Sequence, residues 1–268
     1  MLRSALLNVM VQAARKAGRG LKRDFGEVEQ LQVSLKGPAN FVSIADQRAE
    51  DVLRAELAKA RPGYGFLGEE SGRHDGTDTT HTWIVDPLDG TSNFLHGIPH
   101  FAVSIALMRE DTIVAGVIYN PATEELYMAE RGKGAFLEDR RLRVAARKRT
   151  EEAIVACGLP HHGRGDAEFL ALSRREIAEV QARFAGLRRF GAAALDLAWL
   201  AAGRFDGYWE RNLAPWDMAA GILLVREAGG FVSDLDDGDA MLAKGHIVAG
   251  NEPMHRALLT LLKAAGKS

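Results

Sequence analysis

The sequence predicts a mixed α/β protein in two parts, built from stacked layers of helices and sheets. Three observations carry this expectation. Helix-spaced segments near the start give way to consecutive strand-like runs, and past residue 140 strands alternate with helices. A chain of 268 residues exceeds the roughly 150 expected of one domain. Hydrophobic residues at 47% and charged ones at 26% are the composition of a globular protein, not of a disordered or collagenous one.

Leu2, Leu6, Val9, Met10, Ala13, Ala17 and Leu21 recur at helical spacing and predict an amphipathic first helix. Arg3 followed by Ala5, Leu6 and Leu7 imitates a signal peptide, but Asn8 and Gln12 interrupt it, so the helix is expected to stay with the folded protein. Leu31 to Leu35 alternates like a short strand, and Lys36-Gly37-Pro38 turns away from it. Helical spacing resumes from Val42 to Ala60 and stops before Pro62-Gly63. Phe66-Leu67 leads into Gly68-Glu69-Glu70-Ser71, and the polar stretch from Gly72 to Thr80 reads as loop. Trp83-Ile84-Val85 is a buried strand running into Asp86. Phe101 to Met108, Thr112 to Tyr119 and Glu125 to Ala129 predict an antiparallel meander.

The basic segment Arg140, Arg141, Arg143, Arg147, Lys148, Arg149 marks the expected boundary between an N-terminal half, 1–140, and a C-terminal half, 141–268. In the second half Ile154 to Cys157, Phe205 to Trp209, Phe231-Val232 and Ile247-Val248 read as strands. Helices are expected from about Asp166 to Ala185, from Ala192 to Ala202 and from about Pro215 to Glu227. Gly229-Gly230 ends the third of these and Pro253 opens a last one.

Composition excludes several classes of function. A net charge of −2, from 34 basic and 36 acidic residues, provides no field to recruit nucleic acid or an anionic membrane. The single Cys157 rules out an internal disulfide and a cysteine zinc cage, fits a reducing compartment, and reads as apolar filler beside Ile154, Val155 and Ala156. No apolar run is long enough to span a bilayer, and the cytoplasm is the expected address. His161-His162 and the His96/His100 pair lack a third ligand at zinc spacing. Ser71, Ser104 and Ser173 lack a nucleophile-elbow context, and Gly18-Arg19-Gly20 and Gly229-Gly230 lack that of a nucleotide-binding loop.

The chemistry concentrates in Trp83-Ile84-Val85-Asp86-Pro87-Leu88-Asp89-Gly90-Thr91-Ser92-Asn93-Phe94. A strand delivers Asp86 at its end, and Pro87, which cannot continue a ladder, is expected to turn the chain at once. Asp86 and Asp89 can then converge with the Leu88 carbonyl on a hard cation such as Mg²⁺, which takes oxygen ligands. Gly90 allows close approach, while Thr91 and Ser92 offer hydroxyls and N–H groups to an anion at the start of a short helix. Asp-Pro-x-Asp-Gly-Thr fixes five residues, and chance supplies it in about one chain in ten thousand of this length. Glu69-Glu70 and Asp217, in Pro215-Trp216-Asp217-Met218, are weaker signals taken singly, read first as solvated surface and as a helix cap.

With Gly68-Glu69-Glu70-Ser71, Trp83 through Phe94, and Trp216-Asp217-Met218-Ala219-Ala220-Gly221 leading to Glu227-Ala228-Gly229-Gly230, the chain resembles the inositol monophosphatase family of Mg²⁺-dependent, lithium-sensitive phosphatases. The resemblance implies an αβαβα five-layered sandwich, commonly a homodimer. It implies that Glu69, Asp86 and the Leu88 carbonyl bind one metal, that Asp86, Asp89 and Asp217 bind a second, and that Glu69 reaches a third. Two or three Mg²⁺ per subunit are expected, with Mn²⁺ as a substitute. Asp46 is expected to pair with Thr91 to deprotonate the attacking water, with Gly90 and Thr91 N–H groups on the phosphate. Gly191, Ala192, Ala193 and Glu210 are expected to line the pocket for the alcohol, with Asp217 beside it. Ala192 replaces a Ser or Thr common among relatives, and Arg211-Asn212 differs from the animal enzymes.

Phosphate monoesters are among the most inert biological esters, and enzymes accelerate their hydrolysis by up to about 10²¹-fold. Two metals about 3.5–4 Å apart activate water and neutralise the phosphate, so no covalent intermediate is needed. The expected activity is hydrolysis of a small monoester, inositol-1-phosphate first. Histidinol phosphate, fructose 1,6-bisphosphate and other sugar phosphates are alternatives. A role on the transcription machinery is a different class of alternative, because some bacterial relatives act there and the 140–149 segment is basic. That segment carries no interleaved aromatic residues, so direct nucleic-acid binding is not expected.

Overall fold

The computed structural model describes residues 3–25, 33–35, 41–161, 163 and 165–266. The first helix, α1 (Ala5–Phe25), starts where the Ser4 hydroxyl accepts the Leu7 N–H at 3.1 Å, and it buries Leu7, Met10, Ala14, Ala17 and Leu21. The strands β1 (Val33–Leu35) and β2 (Phe41–Ser43) pair antiparallel and lead into α2 (Ile44–Ala60). The turn read at Lys36-Gly37-Pro38 lies outside the described residues.

Next come β3 (Tyr64–Gly68), β4 (Gly72–His74), β5 (Asp78–Asp89) and the short helix α3 (Thr91–Leu95). The meander follows as β6 (Ala102–Arg109), β7 (Thr112–Asn120), β8 (Glu125–Glu130), β9 (Gly134–Leu137) and β10 (Arg140–Arg141). Among the described residues these form an eight-stranded sheet ordered β10-β9-β8-β7-β6-β5-β3-β4. Only the β3–β5 pair is parallel in it.

A second sheet uses β11 (Ile154–Cys157), β12 (Gly186–Arg188), β13 (Gly207–Arg211), β14 (Phe231–Ser233) and β15 (His246–Gly250), ordered β12-β11-β13-β15-β14. Its helices are α4 (Ala167–Gln181), α5 (Ala193–Ala201), α6 (Pro215–Glu227), α7 (Met241–Lys244) and α8 (Glu252–Ala265). The layers run in order: α1 and α2, the larger sheet, α5 and α6, the smaller sheet, then α4 with α8. This is the αβαβα sandwich.

Three expectations need correction. The stretch from Gly72 to Thr80 holds β4 and the start of β5 rather than a loop, because an exposed edge strand carries no apolar alternation to read. The chain does not turn at Pro87: β5 continues to Asp89 through an irregularity against β6 between Asp86 and Asp89, where proline's missing N–H costs no ladder bond. The helix expected to reach Ala185 ends at Gln181, and β9, β10 and β12, only two to four residues long, went unread.

Helix α6 is buried along nearly its whole length, from Met218 to Val225, because both sheets press on the α5–α6 layer. Gly221 permits the approach: a Cβ there would lie 2.5 Å from the Leu197 side chain on α5. Gly221→Val is expected to cost about 1–3 kcal/mol by overpacking, read as a lower urea midpoint at unchanged slope.

Candidate metal and phosphate site

Two sets of carboxylates meet at the end of β5. Asp86, Asp89 and Asp217 bring one oxygen each within 4.8 Å of the others, and Asp46, Glu69 and Glu70 do the same. Local folding orients each set. Asp86 Oδ1 accepts the Leu88 N–H at 2.9 Å, and Asp89 Oδ2 accepts the N–H groups of Ala194 at 2.8 Å and Leu195 at 3.4 Å. Asp89 therefore caps α5 from another strand, where Ala192 has no side chain to do so. Asp217, in the first turn of α6, reaches back to the Ala214 N–H at 2.7 Å. The positive ends of two helices thus face the acidic centre.

Asp46 and Glu50 lie one turn apart on α2. The buried Glu50 carboxylate accepts the Glu70 N–H at 2.8 Å and the Ser71 N–H at 2.7 Å, which holds the turn carrying Glu69 and Glu70 against α2. Sequence reasoning missed Glu50 and left Glu70 without a role. The four-residue spacing from Asp46 was the available signal for the first.

On the phosphate side, Gly90 adopts φ 88° and opens α3. A Cβ there would stand 3.0 Å from both the Ala192 Cβ and the His100 carbonyl, so glycine alone fits. The Thr91 hydroxyl donates to the Leu88 carbonyl at 3.0 Å and lies 3.5 Å from Asp46 Oδ2, which places the expected Asp46–Thr91 pair side by side.

Ala192 departs from expectation. It is 1% exposed and packs behind Gly90, while Gly191 and Ala193 line the cleft. Ala192 has extended backbone, which sends successive side chains to opposite sides.

The cleft holds about 440 Å³ and is lined by Glu69, Asp86, Asp89 and Asp217 together with Glu210 and Arg189. The Tyr208 hydroxyl donates to Glu210, whose carboxyl is pushed up to about 8, chiefly by burial. Arg211 is held by Glu176, with Nε donating at 2.9 Å. Arg189 makes no hydrogen bond or ion pair among the described residues. Its place in the cleft was not legible in the sequence, because the segment before Gly191 carries no periodic signal.

Burial, and after it Glu69, Asp89, Asp217 and Asp46, raise Asp86 well above the usual carboxylate range. Burial and then Asp196 raise Asp89 likewise. Buried, converging, all-oxygen groups that repel one another fit hard divalent cations.

The model of the inositol monophosphatase family matches residues 2–267. The chain belongs to the inositol monophosphatase family. It is 65% identical over 264 residues, 98% of each chain, to an inositol-1-monophosphatase of Mesorhizobium japonicum. It is 43% identical to a Nus factor SuhB of Pseudomonas aeruginosa over 263 residues, 96% of each. Among solved structures, the extragenic suppressor protein suhB of Bartonella henselae superposes with TM-score 0.92 at 60% identity, covering 97% of this chain and 99% of that one. Membership of the inositol monophosphatase family makes the chain a metal-dependent phosphatase, and no helix among the described residues is long and apolar enough to cross a membrane.

For a carboxyl raised on folding, the native protein holds a proton that the unfolded chain has already released. Without metal, Asp86, Asp89 and Glu210 therefore lower stability as pH rises above the ordinary carboxylate range. Buried His100 and His255 and half-buried His246, whose values are lowered, act in the opposite direction, so the increment from added cation is the cleaner quantity. Calorimetry of chelator-stripped protein is expected to show a larger rise in melting temperature with Mg²⁺ at pH 7.5 than at pH 5.

Proposed function

We propose that the protein hydrolyses a small phosphate monoester, inositol-1-phosphate first, with Mg²⁺ held by Asp86, Asp89 and Asp217, by Glu69 with Asp86 and the Leu88 carbonyl, and near Glu69 as a third ion. The observation that carries this is the pair of carboxylate sets beside Gly90-Thr91, at a cleft that Glu210 and Arg189 also line. Bound divalent cations supply the charge that neutralises the phosphate and acidifies water. Asp46 and Thr91 orient the water and receive its proton at Asp46 Oδ2. The Gly90 and Thr91 N–H groups hold the phosphate, Glu210 accepts a hydroxyl of the leaving alcohol, and Arg189 donates to another. Gly191 and Ala193 leave room for the ring.

The same reading takes residues 1–140 and 141–268 as the two functional halves, the first supplying most ligands and the second Asp217 and the alcohol pocket. Homodimerisation, lithium sensitivity and substitution by Mn²⁺, suggested by the family resemblance, and a cytoplasmic address, suggested by composition, are part of the proposal. The name of the Mesorhizobium relative supports the inositol substrate, and histidinol phosphate and sugar phosphates are the competitors to test.

A second reading has its own observation. Arg140 on the edge strand β10 and Arg143 and Lys148 after it are exposed, and their side chains make no hydrogen bond or ion pair among the described residues. With relatives named Nus factor SuhB, this edge supports docking on transcription machinery. A pull-down at moderate salt that retains no partner, from a preparation releasing phosphate robustly, would remove it.

Asp89→Asn keeps an oxygen to cap α5 but replaces the other oxygen with an N–H donor. Turnover is expected to fall by more than about a hundredfold with the far-UV spectrum unchanged; near-normal kcat would sink the metal assignment. In a phosphate-release screen over about a dozen monoesters, each with and without Mg²⁺, inositol-1-phosphate is expected to give the highest kcat/KM. Glu210→Gln is expected to narrow that preference without abolishing release from simple esters.

A further inference from the structure

We propose that Asn93, His100 and Asp196 form a positioning clamp for this reaction, fixing the phosphate-holding turn at Gly90-Thr91 and the carboxylate of Asp89 in one frame with helix α5. The proposal rests on the reading of Asp89 as a metal ligand. None of the three residues lines the cleft. They are 7%, 7% and 1% exposed, respectively, and act through the groups they hold.

Asn93, on α3, donates through Nδ2 to two carbonyls, His100 and Phe190, each at 2.8 Å. One amide therefore ties the phosphate helix to the segment before β6 and to the segment that leads into Gly191. The His100 ring lies 2.9 Å through Nε2 from Asp196 Oδ1. Asp196 sits in the first turn of α5, and the N–H groups of Ala194 and Leu195 in that same turn hold Asp89 Oδ2. A continuous path of buried hydrogen bonds thus runs from α3 through His100 and Asp196 to the α5 N-terminus and back to Asp89, the residue that precedes Gly90.

Phe190 and Trp199 wall the imidazole, with ring centroids 5.1 and 4.7 Å away. Burial lowers His100 to about 4, so the ring is neutral at working pH. Apolar side chains would fill this space without the cost of burying two amide protons, an imidazole and a carboxyl. Directional hydrogen bonds between buried groups instead enforce one relative position of the pieces they join. Those pieces carry the phosphate contacts and a metal ligand, which need placement to a fraction of an ångström.

His100→Phe keeps the ring volume and its stacking but deletes the bond to Asp196, while His100→Gln restores a donor. The readouts are Mg²⁺ titration calorimetry on chelator-stripped full-length protein and steady-state kinetics. In His100→Phe the half-saturating Mg²⁺ concentration and KM are expected to rise about tenfold, with kcat at saturating Mg²⁺ within about threefold of wild type. His100→Gln is expected to recover most of both. A His100→Phe protein that binds Mg²⁺ like wild type and loses only thermal stability would overturn the clamp. Asn93→Ala serves if His100→Phe does not fold: its inhibition by inorganic phosphate is expected to weaken about tenfold, and unchanged inhibition would also overturn it. A wild-type protein that takes up no Mg²⁺ would overturn the metal site together with the clamp, whereas normal uptake by both wild type and His100→Phe would overturn the clamp alone.

Discussion

Carboxylates repel, and burying Asp86 and Asp89 beside Asp217, Glu69 and Asp46 holds both well above the pKa of a solvated aspartate. The surrounding fold bears on this one unfavourable concentration of charge. Helices α5 and α6 turn their N-termini toward it, with N–H groups on Asp89 and Asp217. These dipoles offset part of the repulsion, each by an amount on the order of 1 kcal/mol. They cannot cancel several charges. A divalent cation can, which is why so costly a cluster is consistent with a site built for metal.

Several residues at the centre serve structure and chemistry together. Asp89 is at once a metal-ligand candidate and the cap of α5, and Asp217 is both a ligand candidate and the first-turn partner of α6. Because the candidate ligands arise from β5, α6 and the turn after β3, their convergence depends on the larger sheet packing against the α5–α6 layer. A cation bound there would favour the packed state. Elsewhere in the cleft the polar groups differ in kind: Glu210, whose carboxyl burial pushes up to about 8, and the Arg189 guanidinium offer hydrogen-bond partners rather than a second set of clustered carboxylates.

The fold class was legible because long apolar periodicities are strong local signals: α1, the meander from β6 to β8 and α6 lie where their spacing puts them. Short edge strands such as β4, β10 and β12 were not, since two or three residues with one exposed face leave no period to detect. Around the site the acidic residues were legible by type and family pattern, and Asp46, Glu69, Asp86, Asp89 and Asp217 do converge. Glu50 and the clamp residues were not, because a buried carboxylate accepting N–H groups looks in sequence like any helix-surface glutamate.

By itself, then, the sequence determined which chemistry the chain can carry: an Asp-Pro-Leu-Asp-Gly-Thr segment closing a buried strand, with oxygen donors for a hard cation and N–H groups for a phosphate. Those properties depend on residue type and short-range spacing. Only the tertiary structure decided which residues share a wall. It turned Ala192 into packing behind Gly90, exposed Arg189 to the cleft, and joined His100 to Asp196 across 96 positions of chain. Side-chain direction at a helix start and contacts between distant segments are set by how layers pack, and no local pattern encodes them.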